Sequence, residues 1–333
     1  MADSDEQCIR NSSLQPLSKS LLFIYLVKSR LILFGGNTLF MELEHNTIDM
    51  NGISLHVVQA GPKSGTPVLL LHGFPEFWYG WRKQIPALVE AGCRVIIPDQ
   101  RGYNLSDKPR GTKAYTMREL VNDVTGLIDA LDYEKVNLVG HDWGAAVAWM
   151  LAIWHPERLH RLGILNVPHP AVMRRFLLRD LEQIRRSWHI FFFQLPWLPE
   201  AGMRADDWRG ASRAMRGSGR IHTFTNEDIE KYKEAWSQPG ALTAMINWYR
   251  AAARYQTQMP KDPRVKIPTL MMWGVKDVAL SHRMARPSMD YCDEGNLILF
   301  PDATHWVQLD AADEVNHYLV DFLLDKINTQ PIR

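Results

Sequence analysis

This sequence has few cysteines and no apolar segment long enough to cross a membrane. Its three cysteines, Cys8, Cys93 and Cys292, are odd in number, and their spacing matches no metal-binding motif. We therefore expect neither a disulfide-rich secreted protein nor a zinc module. A reduced, cytoplasmic location is expected instead. The apolar block at residues 21–34 is shorter than the roughly 20 residues of a spanning helix, and Lys28 and Arg30 interrupt it.

The sequence also has no large excess of positive or negative charge and no internal repeat. The formal net charge is +1 over 333 residues, so neither nucleic acid nor a strongly charged partner is expected. Hydrophobic residues make up 46% of the chain and charged residues 23%, which is ordinary for a globular enzyme. The composition predicts one large α/β domain with an insertion, or two small domains.

Residues 1–42 differ from the rest and are interpreted as an N-terminal extension. No small-residue cleavage site follows the apolar block, so a signal peptide is not predicted. Three interpretations stay open: an interfacial helix that contacts a membrane through residues 20–36, a helix packed on the domain, and translation from Met41 rather than Met1.

From residue 43 the chain alternates strand and helix patterns. Asn51-Gly52 predicts a hairpin turn, and residues 68–71, 94–98 and 162–167 read as buried strands. Thr116 and Glu119 form a capping-box pattern that predicts a helix to about Leu131. This alternation predicts a mostly parallel, twisted sheet with helices on both faces.

Residues 171–258 show helix patterns but no strand pattern. We interpret them as a helical lid inserted in the sheet domain. Leu177, Leu181, Ile184 and Trp188 recur at helical spacing and predict one apolar helix face. The arginines of this stretch fall largely off that face and are expected in solvent; they are Arg174, Arg175, Arg179, Arg185 and Arg186. The predicted division is 1–42 extension, 43–170 core, 171–258 cap and 259–333 core.

The stretch Gly140-His141-Asp142-Trp143-Gly144 lies between a predicted buried strand and an alanine-rich helix. This is the nucleophile-elbow pattern, in which glycines leave room for a sharp turn at the central residue. The central residue here is Asp142, where lipases and esterases carry serine. A carboxylate is ionised at neutral pH and attacks sp3 carbon to give an alkyl ester, so Asp142 is predicted as the nucleophile.

An aspartyl ester needs a base to activate water, and the base needs a carboxylate to orient it. Asp277 follows the predicted strand at residues 267–273, and His305 follows the last predicted strand, at residues 296–300. The chain order nucleophile, acid, histidine is the one expected for such a sheet domain. Asp277 and His305 are therefore the predicted partners of Asp142.

On these motifs the sequence resembles the α/β-hydrolase superfamily, specifically its epoxide hydrolases, from residue 43 to the end. His72-Gly73-Phe74-Pro75 is similar to the family's oxyanion loop, which implies the backbone N–H groups of Phe74 and Trp143 as donors. Asn247-Trp248-Tyr249-Arg250 resembles the lid motif whose tyrosine, here Tyr249, hydrogen-bonds the epoxide oxygen. The resemblance implies an α/β-hydrolase fold and conversion of a mostly apolar epoxide to a vicinal diol.

One position departs from the family pattern. These enzymes usually carry a second lid tyrosine, and His189 stands at that position here. A related bacterial subgroup pairs histidine with tyrosine, so His189 is retained as a predicted catalytic residue.

Three alternatives to epoxide hydrolysis stay open, two of them dehalogenases. Haloalkane dehalogenases share the aspartate mechanism, and the Trp143 indole could bind halide, but Phe74 supplies no second side-chain donor. Fluoroacetate dehalogenases have arginine and tryptophan where this chain has Trp143 and Ile190. A non-catalytic binding protein is the third alternative, opposed by the complete set of motif residues. No metal or organic cofactor is implied, the expected partners are an epoxide and water, and the oligomeric state stays open.

Overall fold

The computed structural model describes residues 42–326. Apart from Glu42, the predicted N-terminal extension lies outside the described residues, and with it the membrane contact at residues 20–36 and the choice between Met1 and Met41.

The described chain forms one sheet of eight strands in the order β1-β2-β4-β3-β5-β6-β7-β8. The strands are β1 Glu44–Met50, β2 Ile53–Ala60, β3 Thr66–Leu71, β4 Cys93–Pro98, β5 Val136–His141, β6 Leu159–Leu165, β7 Thr269–Gly274 and β8 Gly295–Phe300. The β1–β2 and β2–β4 pairs are antiparallel and the remaining pairs are parallel. The predicted mostly parallel sheet is confirmed.

The central strands are buried on both faces, which explains their continuous apolar sequences. Every residue of β4, β5 and β7 is buried. In β3, Leu69 and Leu71 belong to one apolar cluster while Val68 and Leu70 belong to another, so the sheet separates two cores. The first of these clusters continues into the cap through Trp236 and Trp248.

Helices cover both faces of the sheet. They are α1 Ile85–Glu90, α2 Met117–Ala130, α3 Trp143–Trp154, α4 Pro170–Arg179, α5 Leu181–Arg186, α6 Trp188–Phe192, α7 Leu198–Ser218, α8 Asn226–Trp236, α9 Ala241–Arg254, α10 Ala285–Met289, α11 Val307–Asp310 and α12 Ala312–Leu323. Helices α4–α9 lie between β6 and β7, and we call them the cap. The numerical domain boundaries stay predictions. Between Glu42 and Lys326, no helix has both the length and the apolar character needed to span a bilayer.

The predicted capping box at Thr116 is not formed. Thr116 does precede α2, but its side chain makes no capping hydrogen bond. A capping box occurs instead at the start of α8, where Thr225 and Asp228 each accept from the other's backbone N–H. The α2 helix is thus confirmed, but the interaction expected to cap it is wrong.

The continuous apolar face predicted for residues 177–188 is also wrong. Asp180 interrupts the helix, and its carboxylate accepts from Gln183 N at 2.8 Å to begin α5. Gln183 is fully buried, donating to Ala279 O at 2.9 Å and accepting from Ser281 N at 2.9 Å. Because α5 docks through this amide, Leu181 is 83% exposed and Trp188 is 64% exposed.

Candidate active site

Asp142 occupies a strained turn between β5 and α3. Its backbone has φ 50° and ψ −124°, a conformation that non-glycine residues rarely adopt and that commonly marks functional sites. A Cβ atom at Gly144 would overlap the carbonyl oxygen of Leu71, so only glycine lets α3 begin this close to β3. The sequence therefore presents the Asp142 carboxylate at the carboxyl end of the central strands.

The Asp142 carboxylate is held by the loop that follows β3. Phe74 N donates to Asp142 Oδ1 at 2.7 Å, and a Cβ at Gly73 would overlap the Asp142 side chain. His305 Nε2 lies 3.4 Å from Asp142 Oδ2. Burial raises the pKa of Asp142, but the hydrogen bond and charge of His305 outweigh it and lower that pKa to about 2. Asp142 is consequently ionised at any pH at which the protein would work.

His305 lies between two carboxylates. Its Nδ1 is 2.8 Å from Asp277 Oδ2. Burial lowers the pKa of His305, but the charge of Asp277 and hydrogen bonds to Asp142 and Asp277 raise it well above its usual value. Asp277 is fixed in turn by the backbone N–H groups of Ala279 and Leu280, at 2.8 and 2.9 Å.

Asn166 is a further support of Asp277. Its Nδ2 donates to Asp277 Oδ2 at 2.8 Å, and its Oδ1 accepts from Gly274 N at 3.0 Å. The sequence motifs do not identify Asn166 as a site residue. Its place after β6, next to the strand that leads to Asp277, is the signal that could have identified it.

The cap places an aromatic group above Asp142. The Tyr249 ring contacts Trp143, Phe74 and Phe193 with ring centroids 5.0, 5.2 and 4.8 Å apart. Burial and the negative charge of Asp142 raise the pKa of Tyr249 well above its usual value, whereas a hydrogen bond with the Trp143 side chain lowers it. Tyr249 therefore stays a neutral phenol.

His189 reaches the same space from α6. Its ring lies 5.8 Å from that of Tyr249, in an edge-on arrangement. Burial lowers the pKa of His189, against the opposing influence of the Asp142 charge and a hydrogen bond to the backbone of Arg186. The imidazole is consequently neutral near pH 7.

A buried polar network behind His305 was not predicted from the sequence. His141 Nε2 lies 2.8 Å from the backbone oxygen of His305, and its Nδ1 lies 3.1 Å from Glu76 Oε2. Tyr232 of the cap donates to Glu76 Oε1 at 2.9 Å. His141 lies within the nucleophile motif and Glu76 directly follows the His72–Pro75 loop, and these positions are the signal that could have drawn attention to them.

The structure thus brings together all of the predicted site residues, Asp142, Asp277, His305, Tyr249, His189, Phe74 and Trp143. Of the two expected oxyanion donors, Phe74 is the one whose N–H already contacts Asp142 within the described chain. No group of three or more histidine, cysteine or acidic side chains in residues 42–326 is arranged to hold a metal ion. The arrangement can form and hydrolyse an ester on a carboxylate beneath a phenol donor.

Comparison with known proteins shows which family this chain is similar to. Residues 66–312 match the model of the α/β-hydrolase fold family. An AB hydrolase superfamily protein of Bacillus subtilis is 47% identical over 83% of this chain and 96% of its own length. Epoxide hydrolase 4 of Homo sapiens is 37% identical, covering 83% of this chain and 77% of that protein.

Solved structures give the same result. The epoxide hydrolase of Bacillus megaterium, crystallised with an inhibitor, superposes with a TM-score of 0.76 at 29% sequence identity, covering 84% of this chain and all of that chain. An epoxide hydrolase from Vigna radiata superposes with a TM-score of 0.73 at 28% identity, covering 86% of this chain.

Proposed function

This chain belongs to the α/β-hydrolase fold family, within the group that contains the epoxide hydrolases, and on that premise we propose that it converts an apolar epoxide to a vicinal diol. The observation that carries the proposal is the position of an ionised carboxylate, Asp142, beneath the neutral phenol of Tyr249, with His305 beside it.

In the first step, Asp142 attacks one epoxide carbon, the carbon–oxygen bond of the ring breaks, and an ester forms. The leaving oxygen is a poor leaving group unless it receives a hydrogen bond or a proton. Tyr249 is the donor, because its raised pKa keeps the proton on the phenol until the oxygen becomes basic. The surrounding rings of Phe74, Phe193 and Trp143 favour an apolar substrate.

In the second step, His305 takes a proton from water as the water oxygen bonds to the ester carbonyl carbon. The ester C–O bond then breaks, the leaving diol oxygen takes the proton from His305, and the proton released as the Asp142 carboxylate re-forms returns to Tyr249. While Asp142 is ionised, His305 has two carboxylate neighbours that favour its protonated form. Ester formation removes one of those charges, so the pKa of His305 falls and the ring becomes a base when it is needed. Phe74 N–H, already bound to Asp142 Oδ1, stabilises the oxyanion that develops on that group.

The residues around Asp142 favour an epoxide over a haloalkane. The side chain of Phe74, beside Asp142, has no hydrogen-bond donor that could serve as a second halide ligand, whereas the neutral phenol of Tyr249 can donate to an epoxide oxygen. We therefore expect diol formation from epoxides of the styrene oxide type and no halide release from bromoalkanes or fluoroacetate.

The test follows oxygen through a single turnover in 18O-labelled water. The diol formed from excess enzyme should carry an oxygen from the protein, and the label should appear in Asp142. Direct entry of label into the diol would exclude the ester mechanism. In addition, His305→Gln should accumulate an enzyme adduct of one substrate mass, whereas His317→Gln, at an exposed histidine, should not.

The reduced, cytoplasmic location stays part of the proposal. Cys93 and Cys292 are buried free thiols, which supports a reducing compartment.

A further inference from the structure

The outer side of the cap carries large apolar side chains that face solvent. Trp188 is 64%, Phe191 63% and Trp197 71% exposed, all within one short segment of chain. Backbone hydrogen bonds continue the turns of α6 from Ser187 to Leu195, which places Trp188, Phe191 and Leu195 at helical spacing on one side. Exposed aromatic side chains clustered in this way mark an interaction surface.

The backbone conformation of Trp197 is a second unusual feature of this segment. It has φ 50° and ψ −26°, a left-handed conformation that a bulky residue seldom adopts. Leu195, Pro196, Trp197 and Leu198 form an uninterrupted exposed stretch between α6 and α7. We call the exposed side chains of this region the outer cap face; they are Leu178, Leu181, Trp188, Phe191, Leu195, Pro196, Trp197 and Leu198.

Positive charge borders the outer cap face. Residues 171–205 contain six arginines, three acidic residues and no lysine. The acidic residues are already neutralised: Asp180 pairs with Arg283 at 2.9 Å, Glu182 with Arg186 at 2.6 Å, and Glu200 with Arg250 at 2.6 Å.

Five arginines of this stretch have exposed side chains that form no hydrogen bond or ion pair with any residue from Glu42 to Lys326; they are Arg174, Arg175, Arg179, Arg185 and Arg204. Arginines without an acidic neighbour, set beside tryptophan and phenylalanine, match the composition of segments that lie at a lipid surface.

We propose that the outer cap face is a docking surface for an anionic lipid bilayer, with the aromatic side chains inserted at the level of the headgroups and the arginines bound to lipid phosphates. The face lies directly over the candidate active site, because α6 carries Trp188 and Phe191 outside and His189 inside. An apolar substrate dissolved in the bilayer is thus presented to the cap without crossing bulk water. The docking itself does not depend on the proposed reaction.

The test measures partitioning of the full chain onto vesicles by flotation. Phosphatidylcholine vesicles mixed with phosphatidylserine should bind the protein, and vesicles of phosphatidylcholine alone should bind it weakly. Substituting Trp188, Phe191 and Trp197 together by glutamine should lower the partition coefficient on the order of tenfold or more. The matched control substitutes the exposed Leu105, Leu299 and Ile221 by glutamine, with no effect expected.

Charge is tested separately. Arg175→Gln with Arg179→Gln should lower binding to the anionic vesicles roughly ten- to thirty-fold. Arg110→Gln with Arg118→Gln, which removes the same charge from exposed positions outside the cap, should leave it unchanged. Binding by the wild-type chain should weaken as salt is raised. Unchanged unfolding temperatures establish that the variants are folded.

Three results would overturn the proposal. Cap variants that bind vesicles as well as the wild type would exclude this face. Loss of binding only when Leu22, Ile24 and Leu26 are changed to serine would assign the lipid contact to the N-terminal segment. A dimer that cap variants convert to a monomer, with no vesicle binding, would make the face a contact between two copies of the chain.

Discussion

At the scale of single residues, the protonation of His305 depends on the charge of Asp142. Both Asp142 and Asp277 favour the imidazolium, while burial opposes it. We predict that Asp142→Asn, which mimics the uncharged ester, lowers the pKa of His305 below its wild-type value. Titration of the ring nitrogens by NMR measures this shift. An unchanged pKa would mean that Asp277 alone controls the base.

The same pair gives stability a pH dependence of known sign. A pKa raised on folding contributes stability that is complete below the unfolded value of about 6.5 and is lost as pH rises through the folded value. Asp142→Asn should flatten this dependence, as measured by chemical unfolding at a series of pH values.

His189 is the second donor that the cap offers to the epoxide oxygen. Burial lowers the pKa of its ring, and the resulting neutral imidazole has one N–H that can donate a hydrogen bond. We expect His189→Phe to slow ester formation by roughly 10²–10⁴, the range for a lost acid catalyst, and His189→Tyr to keep most of the rate.

Stopped-flow measurement of both His189 variants on one epoxide separates catalysis from packing. A wild-type rate that rises as pH falls, with no such rise in His189→Tyr, would identify the imidazolium as the donor. Equal rates for the phenylalanine and tyrosine variants would instead show that His189 only fills space beneath the cap.

At the scale of elements, the turn from β5 to α3 depends on one missing side chain. We predict that Gly144→Ala lowers the free energy of unfolding by about 1–3 kcal/mol, the usual range for overpacking, because the new Cβ overlaps the Leu71 carbonyl. Gly217→Ala, in α7 with no atom within 4 Å of the added Cβ, is the control and should be neutral or slightly stabilising. Urea unfolding of both variants measures the difference. Equal stabilities would show that α3 can shift away from β3.

The elements also show where sequence reasoning succeeds and fails. The ends of β5, β7 and β8 fix Asp142, Asp277 and His305, because parallel strands align their carboxyl ends at one edge. These positions could be predicted from the apolar runs together with the glycines around Asp142 and the chain order of the three residues. The orientation of α5 could not, since it depends on buried hydrogen bonds of Gln183 to residues nearly a hundred positions later in the chain.

At the scale of the whole molecule, helices α8 and α9 of the cap are more deeply buried than helices α4–α6. Trp236 and Trp248, on α8 and α9, are almost fully buried and donate to Pro75 O at 2.6 Å and Arg101 O at 3.0 Å. Helices α4 and α5 each bury one residue, Val172 and Gln183, and α6 buries none. Local stability follows burial, so α4–α6 should open without the rest.

We therefore predict that the amides of α4–α6 exchange with solvent deuterium well before those of α8 and α9. Mass-spectrometric exchange of peptides from the two regions measures this order. Tyr232→Phe, which breaks the hydrogen bond to Glu76, should speed exchange in α8 and leave α4–α6 unaffected. Simultaneous exchange of all cap helices would show that the cap opens as one unit.

The short helix α6 lies between the substrate space and the outer cap face. His189 lies beneath the cap beside the Tyr249 ring, and its neighbour Trp188 is exposed on the outside, with the two ring centroids 6.4 Å apart. If a ligand bound on one side of the helix changes the affinity of the other side for its ligand, the second ligand must change the affinity for the first by the same factor, because coupling free energies are reciprocal. A substrate analogue held beneath α6 would then be sensed outside the molecule as a change in how firmly the cap holds to whatever covers it.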